Sequence, residues 1–203
     1  MKYYDITKPL SSETIPWPGD TRFSMESKQT SAIVSKLTLS THTGTHIDAP
    51  KHFIFDKIGV DKLPLTAFVG KFKVFDVKTK NLIEPKDLPL SKIKAGDRII
   101  LKTSNTAKLT KKTEFTDAYV SLSLEAAEIL AKKKISLIGI DYFGIEAKAA
   151  PGHPVHKALL ARNIVIVEGL LLTQVKAGEY NGAILPLKIV DGDGSPCRAI
   201  LWK

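Results

Sequence analysis

At 203 residues the chain is short for two domains, yet long enough to bury a sizeable core without a disulfide or a structural metal. Apolar residues make up 43% and charged residues 25%, which excludes whole-chain disorder; the single cysteine, Cys197, excludes an internal disulfide framework and a Cys-rich zinc site. The net charge of +9 is nearly all lysine, with arginine only at Arg22, Arg98, Arg162 and Arg198, so a solvated lysine coat is expected and nucleic acid is not an expected partner.

In chain order, Tyr3, Ile6 and Leu10 suggest a short strand and a turn. The segment Ile15-Pro16-Trp17-Pro18-Gly19-Asp20 is a rigid loop, because two prolines and a glycine exclude helix. Residues 31–41 alternate as a strand, with Leu37 and Leu39 on one face. Residues 67–77 alternate again and set Phe72 and Val74 opposite Phe75 and Val77. Arg98 to Lys102 reads as a buried strand. Residues 123–133 read as a helix: Ser123 caps it, Glu125 and Glu128 suit its early turns, and Leu124, Ala127, Ile129 and Leu130 form its apolar side. Ile135 to Ile140 is a strand ending at Asp141, Pro154 to Arg162 a short helix with proline near its start, and Ile164 to Val167 another strand. Gly182 to Leu187 and Arg198 to Leu201 finish as strands. Strands first and helix–strand units later predict an α/β protein, a mixed sheet with helices packed on it, in one domain over residues 1–203. No run approaches the ~18 apolar residues of a membrane span, and Met1-Lys2-Tyr3-Tyr4-Asp5 lacks the apolar stretch of a secretory signal. A cytoplasmic location with no membrane partner is expected.

The chemistry concentrates in the histidines. Of the five, His42, His46 and His52 fall within eleven residues, together with Asp48; the others are His153 and His156. On a straight strand His42 and Asp48 would lie ~20 Å apart at ~3.3 Å per residue, too far to share an ion. Gly44, Thr45 and Pro50 resist a helix. A strand that bends at Gly44 and leaves at Pro50 could fold two imidazoles and a carboxylate around one cation. The plain alternative is a polar turn whose histidines bond backbone groups.

Glu168 stands twelve positions after His156. A helix over 156–162 advances ~9 Å and a strand over 164–168 returns ~13 Å, so a reversal at Asn163 brings Glu168 back to the level of His156. Here the alternative is a carboxylate facing water or paired with a lysine. If the two clusters share a site, His42, His46, Asp48, His156 and Glu168 suffice as ligands for one or two divalent metals, and His52 is left for proton transfer. Rival chemistries are weaker. No Gly-x-Ser-x-Gly elbow occurs, Cys197 has no histidine within sequence reach, and the alternating Asp191, Gly192, Asp193 and Gly194 read as a turn.

The run His42-Thr-Gly-Thr-His46-Ile-Asp48-Ala-Pro-Lys-His52-Phe resembles the signature of the cyclase family of metal-dependent hydrolases, which includes bacterial kynurenine formamidases and isatin hydrolases. Trp17-Pro18-Gly19-Asp20 is similar to the aromatic loop of the formamidases. Leu63 to Gly70, Ile138 to Asp141, His156 to Leu160 and Val167 to Leu170 also resemble the family in kind and spacing. The resemblance implies a swivelling β/β/α fold around a barrel-like sheet, and a homodimer or homotetramer. It implies that His42, His46 and Asp48 bind one metal, that Asp48 and Glu168 bridge to a second held also by His156, that His52 is the general acid/base, and that Trp17 lines the substrate pocket. Mixed nitrogen and oxygen ligands suit Zn, Mn or Fe, of which Zn or Mn is expected. The implied reaction is hydrolysis of an aryl formamide such as N-formylkynurenine by a metal-activated hydroxide. An isatin-like cyclic amide or lactone, or a metal-binding module without turnover, are the alternatives. The chain departs from the formamidase pattern at Tyr142-Phe-Gly-Ile-Glu146, where Ser-Val-Asp-Pro is usual, and at Lys102, where arginine is common.

Overall fold

The computed structural model describes residues 1–111 and 114–203. The chain opens with β1 (Tyr3–Asp5), followed by a hairpin of β2 (Ser24–Gln29) and β3 (Ile33–Thr38), and then by the three-residue β4 (His46–Asp48). Next come β5 (Val69–Asp76), β6 (Leu82–Ile83), β7 (Arg98–Lys102), α1 (Asn105–Lys111), β8 (Ser121–Leu122) and α2 (Leu124–Lys132). The last third holds β9 (Leu137–Ile140), α3 (Pro154–Leu160), β10 (Val165–Glu168), β11 (Gly178–Pro186) and β12 (Gly194–Trp202).

Eight strands form one sheet in the order β1-β12-β11-β5-β7-β9-β10-β4, and β4 pairs with β12 as well. That extra pairing closes seven of them into a barrel, with β1 outside on β12. The run β5-β7-β9-β10 is parallel and the other pairings are antiparallel. Parallel strands covered on both faces read as continuous apolar runs, and all four residues of β9 are buried.

The period-2 alternation divides two cores. Phe72, Val74, Ile100, Leu137, Val165, Val167, Ala199 and Leu201 fill the barrel. Ile99, Leu101, Ile138, Ile140 and Ile166 turn outward against Ala127 and Leu130 of α2 and Leu159 and Leu160 of α3. The expected split of residues 67–77 holds, since Val77 and Phe75 belong to the outer core. Burying a side chain such as Leu130 contributes about 1.5–3 kcal/mol over leaving it in water.

Two expectations need correction. The strand read over 31–41 is β3, but it pairs only with β2 and every residue of both strands is exposed, Leu37 included. Alternation reports an amphipathic ribbon, not the layer that covers it. In α2 the capping is as read, with Ser123 accepting from the Ala126 N–H. The buried stripe, however, is Ala126, Ala127, Leu130 and Ala131, while Leu124 is exposed. Leu124 is the first residue of the helix, at its exposed end. The strands β2, β6 and β8 and the helix α1 were not anticipated.

Candidate metal centre

The closure of the barrel builds the site. β4 lies between β10 and β12, and its register places His46 opposite Glu168 and Asp48 opposite Gly194. Two residues apart on one strand, His46 and Asp48 share a face, and Glu168 joins them from across the ladder. The approach is tight: a Cβ on Gly169 would stand 2.3 Å from the Gly44 carbonyl oxygen, and both glycines have positive φ. The expected bend at Gly44 (φ +70) is therefore present and has a stated cause. His156 is presented by α3, the chain then reverses at Asn163, which takes a left-handed φ of 57°, and β10 returns Glu168 so that its Oε1 lies 3.3 Å from His156 Nε2.

Around Asp48 and Glu168, 1% and 3% exposed, three imidazoles converge. His42 Nδ1 is 2.8 Å from Asp48 Oδ1. His46 Nε2 is 3.5 Å from both Asp48 Oδ1 and Glu168 Oε2. His156 Nε2 is 3.8 Å from Asp48 Oδ2. The ligand atoms of His46, Asp48 and Glu168 lie within 4.8 Å of one another, and so do those of His42, Asp48 and His52. Two buried carboxylates side by side repel and each needs a cation. Three imidazole nitrogens and two carboxylates are a donor set that fits a divalent metal ion.

Without an ion, the histidines supply that charge. Burial opposes protonation of His42, but its hydrogen bonds to Asp193 and Asp48 outweigh burial and raise its pKa to about 10. His156 is likewise raised to about 10 against burial, by Glu146 and Glu168. Burial raises the Asp48 carboxyl, but His42 overrides it and holds the group well below the usual carboxylate range. His52 moves the other way. Burial lowers its pKa to about 4, aided by the neighbouring charges of His42 and His156 against the pull of Asp48. His52 stacks on His42 with ring centroids 3.9 Å apart, and its Nδ1 lies 3.6 Å from Asp193 Oδ2.

These groups line a pocket of about 220 Å³ whose upper walls are Trp17, Phe53 and Phe143. Trp17 is braced edge-on by Phe115, ring centroids 4.9 Å apart. All the residues singled out in the sequence, His42, His46, Asp48, His52, His156, Glu168 and Trp17, meet at this one pocket. Cys197 does not; it is buried and its thiol is pushed up to about 12 by burial.

Among proteins of known sequence, the chain matches the Cyclase family model over residues 4–147. It is 38% identical over 205 residues to the kynurenine formamidase of Bacillus anthracis, covering 98% of this chain and 97% of that protein. The chain belongs to the cyclase family of metal-dependent hydrolases. A solved structure described as a predicted metal-dependent hydrolase from Bacillus stearothermophilus superposes with a TM-score of 0.87 at 33% identity, covering 98% of this chain and 97% of that one. Isatin hydrolase A from Labrenzia aggregata shares the fold, with a TM-score of 0.86 at 24% identity over 98% of this chain and 93% of that one.

Measured against the cyclase pattern, the two departures part company. Phe143, Gly144 and Glu146 line the pocket. Lys102 does not; its Nζ bonds the Val175 carbonyl at 2.6 Å. Two residues near the centre escaped sequence reasoning. Asp193 was read as part of a turn, and Glu146 only as a departure. Asp193 bonds His42 Nε2 at 2.9 Å and Glu146 bonds His156 Nδ1 at 2.7 Å. The available signal for Glu146 was an acidic residue closing an otherwise apolar run, Tyr142 to Ile145, where a carboxylate needs a partner.

Proposed function

We propose that this cyclase-family chain, as a single cytoplasmic domain over residues 1–203, hydrolyses an aryl formamide such as N-formylkynurenine. The observation that carries the reading is the convergence of three imidazoles on two buried carboxylates at the floor of an aromatic-walled pocket, with a fourth imidazole beside them. The kynurenine formamidase of Bacillus anthracis, alike along nearly the whole chain, supports it.

His42, His46 and Asp48 would hold one divalent ion, Zn or Mn, and Asp48, His156 and Glu168 would hold a second. Such ions supply Lewis acidity toward water and toward the substrate carbonyl. The chain's own residues do the rest. Trp17 stacks the aryl ring and fixes the distance of the amide from the pocket floor. Phe53 and Phe143 exclude bulk water from the reacting carbonyl. His52, neutral at pH 7, turns Nδ1 toward Asp193 and keeps Nε2 for the substrate. Nε2 accepts the proton lost as the C–O bond forms and delivers it to the leaving arylamine nitrogen. The enzyme works as a homodimer or homotetramer, for which the exposed Met25, Ile33, Val34 and Leu37 of the β2–β3 hairpin supply apolar surface.

The test is turnover of N-formylkynurenine and formanilide by chelator-stripped protein as Zn²⁺ or Mn²⁺ is returned. Activity is expected only with metal, and His46→Ala should abolish it. Full turnover in His46→Ala sinks the proposal, and turnover of isatin in place of both formamides moves the substrate to a cyclic amide.

A further inference from the structure

Each imidazole turned toward the Asp48–Glu168 pair has its other nitrogen on an acceptor outside the centre. For His46 the acceptor is the Gly44 carbonyl, 3.0 Å from Nδ1. For His42 it is Asp193, and for His156 it is Glu146. A neutral imidazole carries one proton, and an ion takes only the bare nitrogen. An acceptor on one nitrogen keeps the proton there and leaves the other free.

We propose that Asp193 and Glu146 are positioning residues, one for each side of the centre. Asp193 holds His42 with Nδ1 aimed at Asp48. Glu146 holds His156 with Nε2 aimed at Glu168 and Asp48. The inference rests on the metal reading above and assigns two residues that reading does not use.

The two carboxylates are fixed in the same way. Each bonds the ring and also a donor on the residue just before the ligand. Asp193 accepts from the Thr41 hydroxyl, with Oγ1 3.1 Å from Oδ1 and 3.3 Å from Oδ2. Glu146 accepts the Val155 N–H at 2.7 Å through Oε1, which leaves Oε2 for His156. Further contacts tie both to the centre. The Asp193 carbonyl accepts the Ala49 N–H at 2.9 Å, next to Asp48. A Cβ on Gly194 would stand 2.6 Å from His42 Cε1, so glycine there lets the Asp193 segment reach the ring. Beside Glu146, the Ile145 N–H bonds Glu168 Oε1 at 2.7 Å. One dipeptide thus orients two ligands, which gives the 142–146 departure a role at the metal side of the pocket.

The test is the affinity of the full-length, chelator-stripped protein for Zn²⁺, and separately for Mn²⁺, measured by competition with a chromophoric chelator. Melting of the metal-free proteins is recorded alongside. Asp193→Ala and Glu146→Gln should each weaken binding by about 10–100-fold. Gln keeps the size of Glu146 but offers one acceptor oxygen to two obligate donors, the Val155 N–H and the His156 ring; in Asp193→Asn the Thr41 hydroxyl can turn to accept from the amide, which leaves the one oxygen for His42 and should restore most of the affinity. His153, whose Nδ1 lies 3.7 Å from Glu146 Oε2, is the control, and His153→Ala should bind like wild type. Affinity within about threefold of wild type in Asp193→Ala or Glu146→Gln overturns the assignment for that residue. A loss in His153→Ala as large as in Glu146→Gln overturns the assignment of Glu146 to His156. A loss that comes with collapse of the metal-free melt makes the effect one of folding and overturns it too. Absence of metal binding by the wild-type protein is a different failure: it removes the metal reading itself.

Discussion

His42 and His52 stack ring on ring, yet they hold their protons oppositely. Two carboxylates keep His42 charged to about pH 10, and burial beside that charge keeps His52 neutral down to about pH 4. Under the proposed function the pair separates a metal ligand from a proton carrier within one cluster. Replacing His52 by Asn should leave the metal content of the purified protein unchanged while hydrolysis falls by about 10²–10⁴-fold; element analysis and turnover on one preparation check both. Metal uptake should also expel protons, because His42 and His156 are imidazolium at pH 7 without an ion and must be bare to ligate. Calorimetric titration in buffers of different ionisation enthalpy measures that release. The sign for stability follows. A folded pKa raised from 6.5 to about 10 gives stabilisation complete below 6.5 and lost as pH rises through about 10. The melting temperature of the metal-free protein should therefore fall between pH 7 and pH 10. The cluster of candidate ligands was legible in the sequence because histidine is scarce here and its spacing is unusual. Asp193 and Glu146 were not, because an acidic residue in a turn or loop is common, and only the fold shows which imidazole it faces.

At the scale of elements, the site depends on two short antiparallel strands, β4 and β10, whose flanking glycines, Gly44 and Gly169, let the chains approach closely. Gly169→Ala would push a methyl into the Gly44 carbonyl at a backbone angle of φ +70. It should cost about 3 kcal/mol or more, read as a drop in the urea midpoint, and should weaken metal binding because Glu168 shifts with it. Elements with one well-buried face were easy to read. Residues 67–77 alternate because each face meets its own core, and the Ser123 cap marks where α2 begins. The hairpin was half legible: its alternation is real, but period alone does not say that the ribbon leaves the barrel. The three residues of β4 are too few to show a period, and the metal-ligand pattern, not propensity, marked them.

Across the whole molecule, closure is what makes the site. β4 bonds β10 on one side and β12 on the other, so residues 46–48 meet 166–168 and 194–196. Pairings more than a hundred residues apart leave no local trace, and the sequence showed only that two ligand clusters exist and that a shared cavity would explain both. The lysine-rich charge spreads outside that cavity; among the described residues Lys148 alone of the lysines lines it. Zn²⁺ and Mn²⁺ titration of the wild-type chain beside Glu168→Ala tests the central claim most directly, since Glu168 is the proposed ligand that β10 brings to His46 and Asp48 from more than a hundred residues away. The account predicts tight binding by the wild type and at least a hundredfold loss, about 2.7 kcal/mol, in a folded Glu168→Ala. Equal affinity in the two proteins would contradict it.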